Sequence, residues 1–229
     1  MEELKTKLLF TITNKGKDRK IKNLFKRHNI KYSFELNGFG TASSSLLEYF
    51  GLEEIEKKVI ISVIPEMIEG KLLYDLHNKI KIYEPGNGIS FTARINSASR
   101  YFSTIYEGYQ GDEITMNKEK EYELIVLIVS EGYAEQAMDA AKSKQASGGT
   151  LIKGVGLGSS EATKILGITI EPEKDVVLIL IEKEKKKEVM QVISESVGLA
   201  TPGRGICFSI PVDNVVGLEE NLTFNKLSE

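Results

Sequence analysis

The chain has 229 residues, 41% hydrophobic and 28% charged, with a formal net charge of −3. That balance suits a globular protein of one large or two ordinary domains, and it argues against the clustered basic surface that nucleic acid demands. One cysteine, Cys207, excludes an intrachain disulfide framework, and no apolar run exceeds the six residues of Leu124–Val129 or Val176–Ile181, too few to span a bilayer. The opening MEELKTKLLFTIT carries charge where a signal peptide would have its apolar run. A cytoplasmic location is therefore expected.

Leu8–Thr13 reads as a short apolar strand. Ile21, Leu24, Phe25 and His28 follow at spacings of three and four and mark one face of a helix. Ile30–Leu36 and Val59–Ile64 read as the next strands. Ile68, Leu72, Leu76 and Ile80 predict a second amphipathic helix, and Ile89–Ile95 closes the series as a strand. Residues 103–121 are polar, without helical or alternating period, and are expected to be a linker. The order then repeats, with strands at Leu124–Val129, Thr150–Lys153, Val176–Ile181 and Ile206–Val212. Its helices are marked by Ala134, Ala137, Met138 and Ala141, and by Val189, Val192 and Ile193. The expectation is an α+β chain of two tandem ferredoxin-like (βαββαβ) units, 1–102 and 122–229.

The two halves also match residue by residue. Leu8-Leu9-Phe10 falls on Leu124-Ile125-Val126 at a shift of 116, as do Gly38-Phe39-Gly40 on Gly154-Val155-Gly156 and Gly51 on Gly167. EPGNGISF at 84–91 meets TPGRGICF at 201–208, one insertion later. This predicts a duplication. Helices on one face of each sheet would leave the other apolar face in need of a partner, so oligomerisation is expected. The connections at 38–58 and 154–174 are long for a hairpin, and their serines and glycines predict a short helix in each, with Ser45 and Glu48 at capping-box spacing. Such a segment can serve as a lid on its own sheet or as a docking surface.

These residues resemble the PII signal-transduction (nitrogen regulatory protein P-II) family. Gly38-Phe39-Gly40 and Gly154-Val155-Gly156 are similar to the sequence that opens its sensor loop. Gly86-Asn87-Gly88 and Gly203-Arg204-Gly205 are similar to its nucleotide loop, and Lys57 falls at the position of its sensor-loop lysine. The resemblance implies a trimer of ferredoxin-like units that binds ATP, ADP or AMP in clefts between units, and often 2-oxoglutarate. It also implies a protein client, such as a membrane transporter or a metabolic enzyme. Gly38, Gly40, Lys57, Gly86, Asn87, Gly88, Gly154, Gly156, Gly203, Arg204 and Gly205 are the nucleotide-binding residues it implies.

The departures limit that expectation. Thr41-Ala42 and Leu157-Gly158 stand where the family has Arg-Gln, Ile89 and Ile206 replace its nucleotide-loop lysine, and Glu173 is the counterpart of Lys57. Classical sensing of ATP with 2-oxoglutarate is therefore expected to be lost, and a less charged nucleotide or another small anion to be bound. Each PGxG also meets the steric needs of a type II turn without any ligand. His28 and His77 have no Cys, Asp or Glu at ligand spacing, so no metal is expected. No nucleophile with a base and no paired carboxylates are legible, so the chain is expected not to be an enzyme. Three tandem chains supplying six units would be the simplest closed assembly. The alternative is a trimeric ferredoxin-like interaction module of the CutA kind, without an effector.

Overall fold

The computed structural model describes residues 5–41, 56–96, 106, 114–117, 120–156, 163–165, 168–170, 173–218 and 222–226. In chain order these form β1 (Thr6–Asn14), α1 (Asp18–Arg27), β2 (Tyr32–Gly40), β3 (Glu56–Pro65), α2 (Glu66–Asn78), β4 (Ile89–Arg94) and β5 (Ile114–Met116). There follow β6 (Tyr122–Ser130), α3 (Ala134–Ser143), β7 (Thr150–Val155), β8 (Thr163–Ile165), β9 (Ile168–Ile170) and β10 (Glu173–Glu182). The series ends with α4 (Lys186–Val197), β11 (Ile206–Val212), β12 (Val215–Val216) and β13 (Phe224–Lys226). The fold is mixed α+β with antiparallel sheet, and four helices lie among the described residues.

The chain divides into two compact units. Unit 1 comprises Met1–Asn37, Lys57–Tyr122 and Pro211–Glu229, and unit 2 comprises Gly38–Glu56 and Glu123–Ile210. The expected linker at 103–121 thus belongs to unit 1. Tyr106 is fully buried and donates its hydroxyl to the Val63 carbonyl, and β5 pairs with β13. Residues 211–229, expected in the second half, also belong to unit 1. The apolar and aromatic letters of this polar stretch, Ile105, Tyr106, Tyr109, Ile114 and Met116, are too irregularly spaced to register as periodicity.

In unit 1 the sheet runs β2-β3-β1-β4-β12. Phe10 lies opposite Ile61 on one side and Phe91 on the other. Ile21, Leu24 and Phe25 of α1 and Leu72 and Leu76 of α2 pack on Leu9, Ile60 and Ile64. In unit 2 the sheet runs β11-β6-β10-β7. Ala137, Met138 and Ala141 of α3 and Val189, Ile193 and Val197 of α4 pack on Ile125, Leu127, Val129, Val177 and Ile179. Each such aliphatic side chain contributes roughly 1.5–3 kcal/mol by leaving water. The opposite face stays partly bare. Tyr32, Phe34 and Leu36 are 49%, 47% and 36% exposed in unit 1, and Ile206 and Phe208 are 53% and 43% exposed in unit 2.

Local details recur at the 116-residue shift. Gly16 and Gly132 share φ near +90°, at +90° and +88°. Asn29 and Gln145, past the ends of α1 and α3, are both left-handed, at +53° and +67°. That conformation lets Ile30 N–H reach Phe25 O and Ala146 N–H reach Ala141 O, which closes both helices. An ion pair recurs with its charges exchanged: Lys7 Nζ meets Glu69 Oε2 at 2.7 Å, and Lys186 Nζ meets Glu123 Oε1 at 2.7 Å. Each joins the first strand of its half to the second helix of that half, α2 or α4. Breaking the second pair leaves Glu123, almost fully buried, without its amine. Glu123→Lys should cost about 3 kcal/mol, and adding Lys186→Glu should return most of it, as read from a double-mutant cycle of urea midpoints.

A second ion cluster ties α1 to α2. Asp75, buried on α2, accepts from His28 Nε2 at 2.9 Å and from Lys79 Nζ at 3.0 Å, with Lys71 Nζ at 3.5 Å. Burial alone would raise its carboxyl, but these donors and the Lys71 and Lys79 charges outweigh it and hold the pKa below the usual value. A carboxyl depressed in the folded state contributes stability above its unfolded pKa and loses it as pH falls through the folded one. Melting temperature should therefore fall on acidification below about pH 4. Asp75→Asn should melt lower at neutral pH and show a shallower acid limb.

Candidate functional site

The expected site residues of the first half divide between the units. Lys57 starts β3, and Gly86, Asn87 and Gly88 form the turn before β4; all four belong to unit 1. Gly38 and Gly40 are the closing residues of β2 and belong to unit 2; the connection they are expected to open lies, from 42 to 55, outside the described residues. Gly40 pairs with Thr150, and a Cβ on Gly38 would lie 2.8 Å from the Leu151 carbonyl oxygen. Close strand approach thus explains that glycine without a ligand.

Asn14 lies between Lys57 and the turn. β1 and β3 place Asn14 opposite Lys57, and Lys57 Nζ donates to Asn14 Oδ1. The Asn14 side chain reaches Gly86, where a Cβ would stand 3.0 Å from Asn14 Nδ2. Thr13 Oγ1 donates to Asn87 O at 2.6 Å, and the Asn87 amide side chain donates to Lys81 O at 3.0 Å. Gly88 lies so close to β1 that a Cβ would be 2.1 Å from Ile12 O. Lys57 is half-buried, and desolvation lowers its pKa. Its neighbour on the same strand, Lys58, is instead neutralised by Glu35 at 3.0 Å.

The second PGxG has the same letters and a different geometry. At 84–87 Asn87 N–H donates to Glu84 O at 3.0 Å and Gly86 has φ +81°, as a type II turn requires. At 201–204 Arg204 N–H donates to Thr201 O at 3.1 Å, but Gly203 is not left-handed and Arg204 is, at φ +45°. The remaining amides are used internally: Gly203 N–H donates to Thr201 Oγ1 at 3.2 Å and Gly205 N–H to Val197 O at 2.7 Å. Both glycines are buried, with Tyr133 and Val197 against Gly203. Arg204 is exposed.

Gly154 lies in β7 opposite Lys174, and Gly156 follows the end of that strand. Around the start of β10, Lys153 Nζ meets Asp175 at 2.9 Å and Glu131 at 3.3 Å, while Gly132 N–H donates to Asp175 Oδ2 at 3.0 Å. Glu173 and Glu131 share a hydrogen bond, which lowers the Glu131 carboxyl and raises that of Glu173. The short helix expected in the second connection is replaced by a β8–β9 hairpin, with Thr163 opposite Ile170. The β-branched alternation Thr163, Ile165, Ile168, Ile170 favours strand over helix there. The helix expected around Ser45 and Glu48 lies outside the described residues.

A polar network in unit 1 was not foreseen. Lys7 reaches Glu69 at 2.7 Å, Asp213 at 3.2 Å and Glu66 at 3.3 Å, and Asn214 Nδ2 donates to Glu69 Oε1 at 2.7 Å. Asp213 also takes Arg94 Nε at 3.0 Å, and Thr92 Oγ1 donates to Glu69. A small, open cleft adjoins it, lined in part by Met116, Tyr122, Asp213, Asn214 and Leu222. The Asp213 carboxylate and the Asn214 amide at its rim are already engaged by this network.

His28 is held by Asp75, and His77 packs against Tyr83 and Phe224, with ring centroids 4.8 and 5.6 Å away. Among the described residues no group of three or more His, Cys, Asp and Glu could hold a metal ion. Cys207 is half-buried on β11, and burial pushes its thiol up to about 11. No helix among the described residues is long and apolar enough to cross a membrane.

No family model and no curated protein matches the chain. It is similar to a solved Bacillus cereus protein related to NIF3, at 16% identity and TM-score 0.33, over 47% of this chain and 30% of that one. The chain thus spans less than a third of that protein's length. An unknown protein from Galdieria sulphuraria is 14% identical with a TM-score of 0.28, over 92% of this chain and all of that one, 100%. A microcompartments protein from Desulfitobacterium hafniense is 13% identical with a TM-score of 0.24, over 91% and 96%. Likenesses this remote carry no argument about what the chain does.

The turn at 84–88 depends on its glycines, and stability should show it. Gly88→Ala sets a Cβ against the Ile12 carbonyl at φ +124° and should cost about 2–3 kcal/mol in urea unfolding. Gly16→Ala, at φ +90° with nothing within 4 Å, should cost only the left-handed strain, about 1–2 kcal/mol.

Proposed function

We propose that the chain is a non-enzymatic, PII-like regulator made of two ferredoxin-like units that arose by duplication. It takes a small phosphate-bearing effector, of the adenine-nucleotide class, beside Lys57 and the turn at 86–88. The observation that carries this reading is the half-buried Lys57 amine set next to that turn by Asn14. A cation partly withdrawn from water, with a neutral amide as its hydrogen-bond partner, gains by meeting an anion. The ferredoxin-like assignment is supported by the strand orders β4-β1-β3-β2 and β11-β6-β10-β7, which are the same when counted within each half. Duplication is supported by the recurrent glycines, helix ends and exchanged ion pair.

The working assembly in this reading is a homo-oligomer, three chains with six units, in which the bare sheet faces press together. Effector binding orders the connections at 38–58 and 154–174 and so changes their affinity for a protein client, as a population shift. The exposed Tyr32, Phe34, Ile206 and Phe208 equally suit a CutA-like interaction module without effector. Native mass spectrometry reports subunit number for both readings.

Isothermal titration with ATP, ADP and AMP separates them. At least one nucleotide should bind, without magnesium-dependent co-binding of 2-oxoglutarate. Lys57→Ala should weaken it by roughly ten- to a hundred-fold, the worth of one charge-assisted hydrogen bond. A folded protein that gives no heat with all three nucleotides leaves the interaction-module reading standing.

A further inference from the structure

We infer that only unit 1 accepts the phosphate-bearing ligand, so each chain binds one such molecule although it contains two copies of the motif. This rests on the function proposed above and concerns which copy performs it. Lys57 and Glu173 are separated by the 116-residue shift, and both lie at the start of a strand with the same place in its sheet, β3 and β10. In unit 1 that position carries an amine hydrogen-bonded to Asn14, and no carboxylate reaches it among the described residues. In unit 2 it carries a carboxylate that shares a hydrogen bond with Glu131, close to the Lys153–Asp175 pair. Lys153 is already paired with Asp175 and Glu131, and a carboxyl group stands where unit 1 offers the Lys57 amine, so this corner attracts a phosphate less than its counterpart does.

The turns differ in the same sense. Gly86 and Gly88, at φ +81° and +124°, are partly exposed beside Asn14. Gly203 and Gly205 are buried, and the amides of 203, 204 and 205 all donate within the protein. A nest of backbone N–H groups binds an anion only if those groups are not already spent. Unit 2 has spent them, and its turn is a packing element.

The test is calorimetric titration of the full chain with ADP, fitted for stoichiometry, on the wild type, Lys57→Gln and Lys57→Arg. One ADP per chain is expected, weakened at least about tenfold in Lys57→Gln with no second class of site revealed. Lys57→Arg, which keeps the charge, should retain most of the affinity and shows that position 57 tolerates substitution. Two ADP per chain, or undiminished binding in Lys57→Gln, overturns the inference while leaving an effector-binding regulator intact. No binding of ADP, ATP or AMP by the folded wild type overturns both.

Discussion

The candidate site depends on one close approach of backbone to backbone. Gly88 packs against the Ile12 carbonyl where any Cβ would be 2.1 Å from the oxygen, which docks the turn at 84–88 onto the end of β1. Two residues along β1 is Asn14, opposite Lys57 in the β1–β3 register. An amine on one strand, an amide on the next and a left-handed turn from a third connection are thus brought together by strand register, and side-chain bonds from Thr13 and Asn87 hold the turn. A site set on a rigid scaffold in this way holds its groups in place before any ligand arrives.

Much of this frame was legible because burial writes itself into periodicity. Ile21, Leu24 and Phe25 are all buried on α1, and Ala134, Ala137, Met138 and Ala141 on α3, as their spacings indicate. Val189 and Ile193 are buried, but Val197 completes the stripe of α4 in place of Val192. The β8–β9 hairpin was hidden by Ser-rich and glycine-flanked letters that serve helix ends and strand turns alike. The unit boundary was hidden for another reason. β12 joins the edge of unit 1 through Val215 and Val216, a two-residue pairing far along the chain that no local pattern announces.

The polar residues beneath α2 were illegible for a third reason. Lys7, Leu9, Thr11 and Thr13 share the helix-facing side of β1, yet the contiguous Leu8-Leu9-Phe10 reads as an apolar strand on both faces. Glu69 then sits beside Ile68 on α2 with nothing to distinguish it from a solvated glutamate. Only the fold brings Lys7, Glu69, Thr92 and Asn214 together, and each partner satisfies another, so the network avoids the cost of an unpaired buried charge. Likewise, PGNG and PGRG cannot be told apart as turns from their letters. What separates them is whether the residue after the second-position glycine is tied to Ile80 and Lys81, as Asn87 is, or takes the left-handed conformation itself, as Arg204 does.

Between the two halves the ion pair of strand and helix is kept in place and reversed in sign. Lys7 and Glu69 in one correspond to Glu123 and Lys186 in the other, at the same 2.7 Å. Coulombic attraction is indifferent to which partner carries which sign, so packing tolerates the exchange. A site that receives a ligand of fixed charge does not share that symmetry. When Lys57 on one side corresponds to Glu173 on the other, attraction for an anion becomes repulsion, and no compensating change inside the protein restores it. Sign reversal is neutral in the frame and decisive at the corner. Two units can therefore remain alike in fold while one alone is fit to receive a phosphate.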